Sequence, residues 1–341
     1  MDRKKFIKTA ILTSSAFSLG FTRYSLRNTY SEIIHPPKLK PGDVVGLVTP
    51  GSYITEKELE EAKKNIRSLN LIPYHTSNVL SKDGYLAGSD KQRAEDINHM
   101  FKNPDVKCIW AVRGGYGCTR ILDLIDYDLI RRNPKAIIGY SDITALLYAV
   151  FSQTGLICFH GPVGISTFDE FSVHNLKPLL FSDVKGLKIK QYKNSETTVI
   201  RSGKAVGRLV GGNLSLMVSL IGTKFDIESK DKIIFIEEIN EEPYRIDRML
   251  TQMIQAGKFE GAKGIALGNF QKCEIKENDP EFESSFTLKE VLYDRLFGLG
   301  IPVVYGLSFG HISNKITLPF GAKAELDVNN NTIKLLENTV V

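Results

Sequence analysis

The chain has 341 residues, 42% of them hydrophobic and 24% charged, with a formal net charge of +5. That is the profile of a globular protein of about two domains. The lysines are scattered rather than gathered into a basic stripe interleaved with aromatics, which argues against a nucleic-acid surface. Four cysteines without C-x-x-C pairing and six histidines without ligand spacing argue against a zinc site.

At the N-terminus Arg3, Lys4, Lys5 and Lys8 precede a mildly apolar stretch from Thr9 to Phe21. This is the layout of an export signal, too short to span a membrane as a conventional helix. The run Arg3-Lys4-Lys5-Phe6-Ile7-Lys8 resembles a twin-arginine signal with lysine in the second arginine position. No cysteine lies near it, which excludes a lipoprotein anchor. Residues 1–37 are therefore expected to be a signal-like segment and linker, leaving a periplasmic protein with no stable membrane insertion. The alternative is a basic terminus retained on a cytoplasmic protein.

Residues 38–166 read as one domain. Val44 to Val48 is a buried strand ending at Thr49-Pro50-Gly51-Ser52, and Leu59, Ala62, Ile66 and Leu69 trace the buried face of a helix. Leu71 to Tyr74 is extended, and a helix from Asp90 buries Ala94, Ile97 and Phe101. Strand Val106 to Val112 runs into Arg113-Gly114-Gly115-Tyr116-Gly117. Ala136 to Ile138 is a further buried strand, broken by Gly139-Tyr140-Ser141-Asp142. A helix with apolar positions Ile143, Leu146, Leu147 and Val150 follows, closed by Gly155. The alternation predicts a parallel, doubly wound sheet, in which ligands sit beyond the carboxyl ends of the strands.

Ser141 thus falls on a strand-to-helix turn, where a hydroxyl projects beside the free N–H groups of a helix start. It is either a nucleophile or a helix cap, since only the leading glycine of G-x-S-x-G is present. The glycine-rich loop fits neither a dinucleotide fingerprint nor a P-loop. Its glycines would instead let an N–H approach a ligand closely.

The pattern weakens over 167–204, expected to be an interdomain connection. Residues 205–341 read as a second domain. Gly211-Gly212-Asn213 forms a turn, Ile233 to Ile239 a strand in which Glu237 needs a partner, Pro243 to Gln255 a helix, and Ile301 to Tyr305 a strand opening onto Gly310-His311. Thr287 and Glu290 have capping-box spacing, and Ala322 to Leu336 is a β-hairpin. A serine hydrolase needs a base and an orienting acid, and Ser141, Glu237 and His311 stand in the order nucleophile, acid, histidine.

From about Lys40 to Leu335 these motifs together resemble the LD-carboxypeptidases, which include the microcin C immunity peptidases. The resemblance rests on Gly42-Asp43, Thr49 to Ser52, Tyr85-Leu86-Ala87-Gly88-Ser89-Asp90, Arg113 to Gly117, Ile138 to Asp142, His160-Gly161-Pro162, Gly211 to Asn213, Glu237-Glu238, Pro243 to Arg248 and Gly310-His311. It implies a Rossmann-like N-terminal domain, a β-rich α+β C-terminal domain, no metal or other cofactor, and commonly a homodimer. It also implies a Ser141–Glu237–His311 triad, with Glu237 preferred over Glu238. From their positions, the N–H groups of Gly115 and Asp142 are candidates for the oxyanion hole, and Arg113 or Arg245 is a candidate to grip the terminal carboxylate of a murein peptide, the alternative for each arginine being a structural ion pair. Release of a terminal D-alanine and hydrolysis of a peptidyl-nucleotide both fit. A noncatalytic exported peptide-binding protein is the competing class.

Overall fold

The apolar runs of the first half become a stack of parallel strands because each is greasy on both faces, which only a sheet covered on both sides tolerates. The structure is a computed structural model and describes residues 32–193, 196–276 and 282–341. The signal-like segment, residues 1–31, lies outside the described residues. In chain order the first part contains β1 (Val44–Val48), α1 (Glu56–Ser68), β2 (Ile72–Tyr74), α2 (Asp90–Lys102), β3 (Val106–Ala111), α3 (Cys118–Ile121), α4 (Tyr127–Arg132), β4 (Ala136–Gly139), α5 (Ile143–Thr154) and β5 (Cys158–His160). There follow α6 (Glu170–Phe181), β6 (Lys188–Ile189), β7 (Thr198–Arg201), β8 (Lys204–Asn213), α7 (Leu214–Ser219), β9 (Lys232–Ile239), α8 (Pro243–Gln255) and β10 (Gly264–Gln271). The chain ends with α9 (Leu288–Leu296), β11 (Val303–Tyr305), β12 (Leu318–Phe320), β13 (Lys323–Asp327) and β14 (Thr332–Leu335).

The first sheet has the order β12-β5-β4-β3-β1-β2, with β1 to β5 parallel and β12 antiparallel to β5. The sheet is doubly wound, as expected. Its strand order 2-1-3-4-5 is the flavodoxin-like variant, which reverses between β1 and β3. The loops after β1, β3 and β4 therefore open at one carboxyl edge. The second sheet, β6-β14-β13-β8-β9-β10-β11-β7, is parallel from β8 to β11 and antiparallel at both ends.

Local chemistry marks the boundaries. Thr55 with Glu58, Ser89 with Gln92 and Thr287 with Glu290 form capping boxes on α1, α2 and α9. Gly155 ends α5 at φ 76°. Helix α5 is buried at every position but Gln153, because the second sheet packs where a surface helix would meet water. Gly212 makes that approach possible: a Cβ there would lie 2.5 Å from Thr144 Cγ2, and the Asn213 N–H donates to Thr144 Oγ1 at 3.1 Å.

Two stretches expected to be connections are built into the fold. Residues 167–204 supply α6 and two strands of the second sheet, including both of its edges. Within the expected linker, the Ile34 N–H donates to Gly155 O and the Ile34 carbonyl accepts from Ile157 N, each at 2.9 Å. All four cysteines are buried thiols. No helix among the described residues is long and apolar enough to cross a membrane.

Candidate active site

Three loops interlock at the carboxyl edge of the first sheet. Ser141 turns the chain from β4 into α5 at φ 64°, a left-handed conformation that costs a non-glycine residue free energy and tips its hydroxyl out of the sheet. The glycine-rich loop after β3 lies against it. A Cβ on Gly114 would sit 3.0 Å from Ser141 Cβ and 3.2 Å from its Oγ, so a side chain there would crowd the turn. The loop after β1 braces the second, its Ser52 N–H donating to Gly114 O at 3.2 Å and its Ser52 Oγ accepting from Tyr116 N at 3.1 Å.

The bracing extends beneath the turn. Asp142 makes no side-chain cap for α5. Its Oδ2 instead accepts from the Cys118 N–H at 2.9 Å, and burial pushes its carboxyl above the ordinary range. Arg93, buried on α2, donates to the carbonyls of Pro50 and of Gly117 and so ties the loops after β1 and β3 together. Gly115 has φ 95°. Among the described residues neither its N–H nor that of Asp142, the residue after Ser141, meets an acceptor.

The second sheet delivers an acid and an imidazole. Glu237, fully buried near the end of β9, accepts from His311 Nδ1 at 2.7 Å. Its other oxygen, Oε1, faces His160 Nε2 at 3.9 Å, too long for a hydrogen bond. Burial alone would raise the Glu237 carboxyl. The imidazoles of His160 and His311 outweigh that and hold it at about 2. Glu237 is therefore a carboxylate at neutral pH and can only accept, so it is the Nδ1–H of His311 that donates to it.

Glu238, the neighbouring acid, points to the opposite face of the strand. It accepts from Asn213 Nδ2, Ser215 N and Ser215 Oγ, each at 2.7 Å, and from Ile239 N at 2.8 Å. Its side-chain partners belong to the start of α7 and include no histidine. The ring of Tyr140, next to Ser141, joins the two halves of the site, with its centroid 4.8 Å from that of His311 and 6.1 Å from that of His160.

The two arginines have partners of their own. The Arg113 guanidinium leaves the loop toward α1, 3.4 Å from Glu58 Oε1 and 3.5 Å from Tyr53 O. Arg245, in the first turn of α8, is 3.8 Å from Glu241 Oε2 and lies over the Tyr244 ring. A cavity of about 580 Å³ opens beside the His311 loop, with Tyr192, Asn269, Tyr305, Ser308, Ile312 and Asn314 in its wall. Ser141 does not line it. Among the described residues no three His, Cys, Asp or Glu side chains cluster as metal ligands would.

Sequence reasoning left His160, Tyr140 and Arg93 without roles in the site. The only signal for His160 was its place after a buried strand and before Gly161-Pro162, and Tyr140 was visible only as the neighbour of Ser141.

Known proteins share this architecture. The family models for the LD-carboxypeptidase N-terminal and C-terminal domains match residues 45–161 and 206–326. This chain belongs to the LD-carboxypeptidase family. A Bacillus subtilis protein named "Probable murein peptide carboxypeptidase" is 38% identical over 312 residues, spanning 90% of this chain and 96% of its own. The murein tetrapeptide carboxypeptidase of Pseudomonas aeruginosa is 29% identical over 294 residues, spanning 84% and 93%. Among solved structures, MccF in complex with glutamyl sulfamoyl guanosine superposes with a TM-score of 0.81 at 26% identity, spanning 90% of this chain and 99% of its own.

Proposed function

We propose that this member of the family is a serine LD-carboxypeptidase that releases the terminal D-alanine of murein tetrapeptides. The observation that carries the reading is the buried Glu237–His311 pair, joined at 2.7 Å, on the sheet that packs against the strained Ser141 turn. In this mechanism His311 Nε2 takes the Ser141 proton, Ser141 Oγ attacks the amide carbonyl, and the N–H groups of Asp142 and Gly115 hold the oxyanion. One such donor is typically worth about 3 kcal/mol of barrier. Glu237 keeps the imidazole in the required tautomer and stabilises its protonated form, which then gives its proton to the leaving amine. Water and the same histidine reverse these steps to release the acyl group.

Mass spectrometry of a murein tetrapeptide after incubation tests this: loss of one D-alanine by the wild type and none by Ser141→Ala is expected. An intact tetrapeptide with the wild type overturns it. The likeness to MccF supports a second reading, hydrolysis of a peptidyl-nucleotide, and an aminoacyl sulfamoyl nucleoside in the same assay separates the two. A noncatalytic binder would leave Ser141 unlabelled by a serine-directed fluorophosphonate. Export and a homodimeric state are part of the proposal, and N-terminal sequencing from the native cell and light scattering check them.

A further inference from the structure

Among the described residues around the site, Lys315 is a buried cation without an ion-pair partner. Lys315 follows His311 by four residues and is 5% exposed. Its backbone is pinned, since the Lys315 N–H donates to Ser172 Oγ at 2.9 Å, the Asn314 N–H to Asp169 Oδ2 at 3.0 Å, and the Ile316 N–H to Ser308 O at 2.7 Å. The side chain crosses from that anchor to place its ammonium 4.3 Å from the centroid of the Tyr140 ring. No carboxylate among the described residues comes within ion-pair distance of it, although Glu237 and Asp169 act on it from further away. Burial lowers the ammonium to about 8, so it is mostly charged at neutral pH. A buried charge in contact with an aromatic face and without a close carboxylate is costly unless an anion arrives to meet it.

The position suits one anion in particular. An exopeptidase substrate carries its terminal carboxylate one residue beyond the scissile bond, about 3.8 Å of chain. The departing amine belongs to that same residue and collects its proton from His311, so the carboxylate lies on the histidine side of Ser141. The Tyr140 ring is adjacent to Ser141, packs on His311 at 4.8 Å and carries the Lys315 ammonium at 4.3 Å. We infer that Lys315, rather than Arg113 or Arg245, receives the terminal carboxylate of the substrate. The inference rests on the carboxypeptidase reading above and names the group that makes the enzyme an exopeptidase.

The test measures binding, so that it stands apart from turnover. Full-length Ser141→Ala is titrated calorimetrically with a murein tetrapeptide bearing a free terminal carboxylate and with its terminal amide, and both titrations are repeated in Ser141→Ala/Lys315→Met and Ser141→Ala/Lys315→Arg. The free acid should bind at least about thirtyfold more tightly than the amide. Lys315→Met should bring the two within about threefold, and Lys315→Arg should restore part of the gap. Were Lys315 only a packing element, Lys315→Met would lower Tm and weaken both peptides alike, which overturns the inference. So does a gap that survives Lys315→Met, or no binding of either peptide to Ser141→Ala. Wild-type turnover tells the two failures apart: a Lys315-dependent gap without D-alanine release rejects the hydrolytic reading alone, and D-alanine release with a gap indifferent to Lys315 rejects the carboxylate site alone.

Discussion

Adjacent acids on β9 have different fates because side chains alternate across a strand. Glu237 turns toward two imidazoles and Glu238 toward the α7 cap. Glu237→Gln should therefore lower kcat/KM about 10⁴-fold, as loss of the acid does in other serine triads, with the fold retained. Glu238→Gln places an amide donor among groups that already donate, so it should cost about 1–3 kcal/mol of stability and comparatively little turnover. Denaturant melts with tetrapeptide kinetics on both variants check this, and the reverse pattern would move the acid by one position. Combining Ser141→Ala with His311→Ala should cost little more than the worse single change, since groups that act as one unit are not additive. Additive losses would break the proposed link between them.

At the scale of elements, the site depends on how closely β8 and the glycine-rich loop approach α5. Gly212→Ala would drive a methyl group into Thr144, and Gly212 already has φ 146°, so a loss of about 1–3 kcal/mol is expected. Gly114→Ala should act differently. Its Cβ would press on Ser141 rather than on the core, so kcat should fall severalfold or more with little change in Tm. Thermal melts beside kinetics separate the two, and equal destabilisation by both would mean that the loop serves packing rather than the turn. Asn213→Ala removes the cap of α7 and one donor to Glu238, and should cost about 2 kcal/mol.

At the scale of the molecule, Glu237 links acid stability to the site. Its carboxyl titrates at about 2 in the folded chain against an ordinary 4.5. A depressed carboxyl contributes stability that is complete above about pH 4.5 and is lost as pH falls through about 2. The fall of Tm across that window should be shallower in Glu237→Gln, and an unchanged slope would assign acid unfolding to other carboxylates. Export belongs to this scale too. If the signal-like segment is removed, cleavage should fall after Phe21 and before Ile34, whose backbone pairs with Gly155 and Ile157. N-terminal sequencing decides, and an intact Met1 or Asp2 on a cytoplasmic species would reject it.

Short-range chemistry was legible from the residues alone: the buried strands, the capping boxes, the Gly155 stop and the Ser141 turn all depend on neighbours a few positions away. Glu237 also stood out, because a carboxylate in an apolar strand requires a partner wherever that partner comes from. Only the tertiary structure decided which partners met. His311 reaches Glu237 across 74 positions, and His160 comes from the other sheet. The assembly also recruits β12 from the second half into the first sheet, and builds α6, β6 and β7 from a stretch with little periodicity. Arg113 and Arg245 drew attention because a cation beside a glycine loop or at a helix start looks free in one dimension. Lys315 escaped it because it precedes an apolar strand, where a lysine reads as a solvated end. Whether a charge is paired or waiting depends on through-space distance and burial, and neither is written in the spacing of residues along the chain.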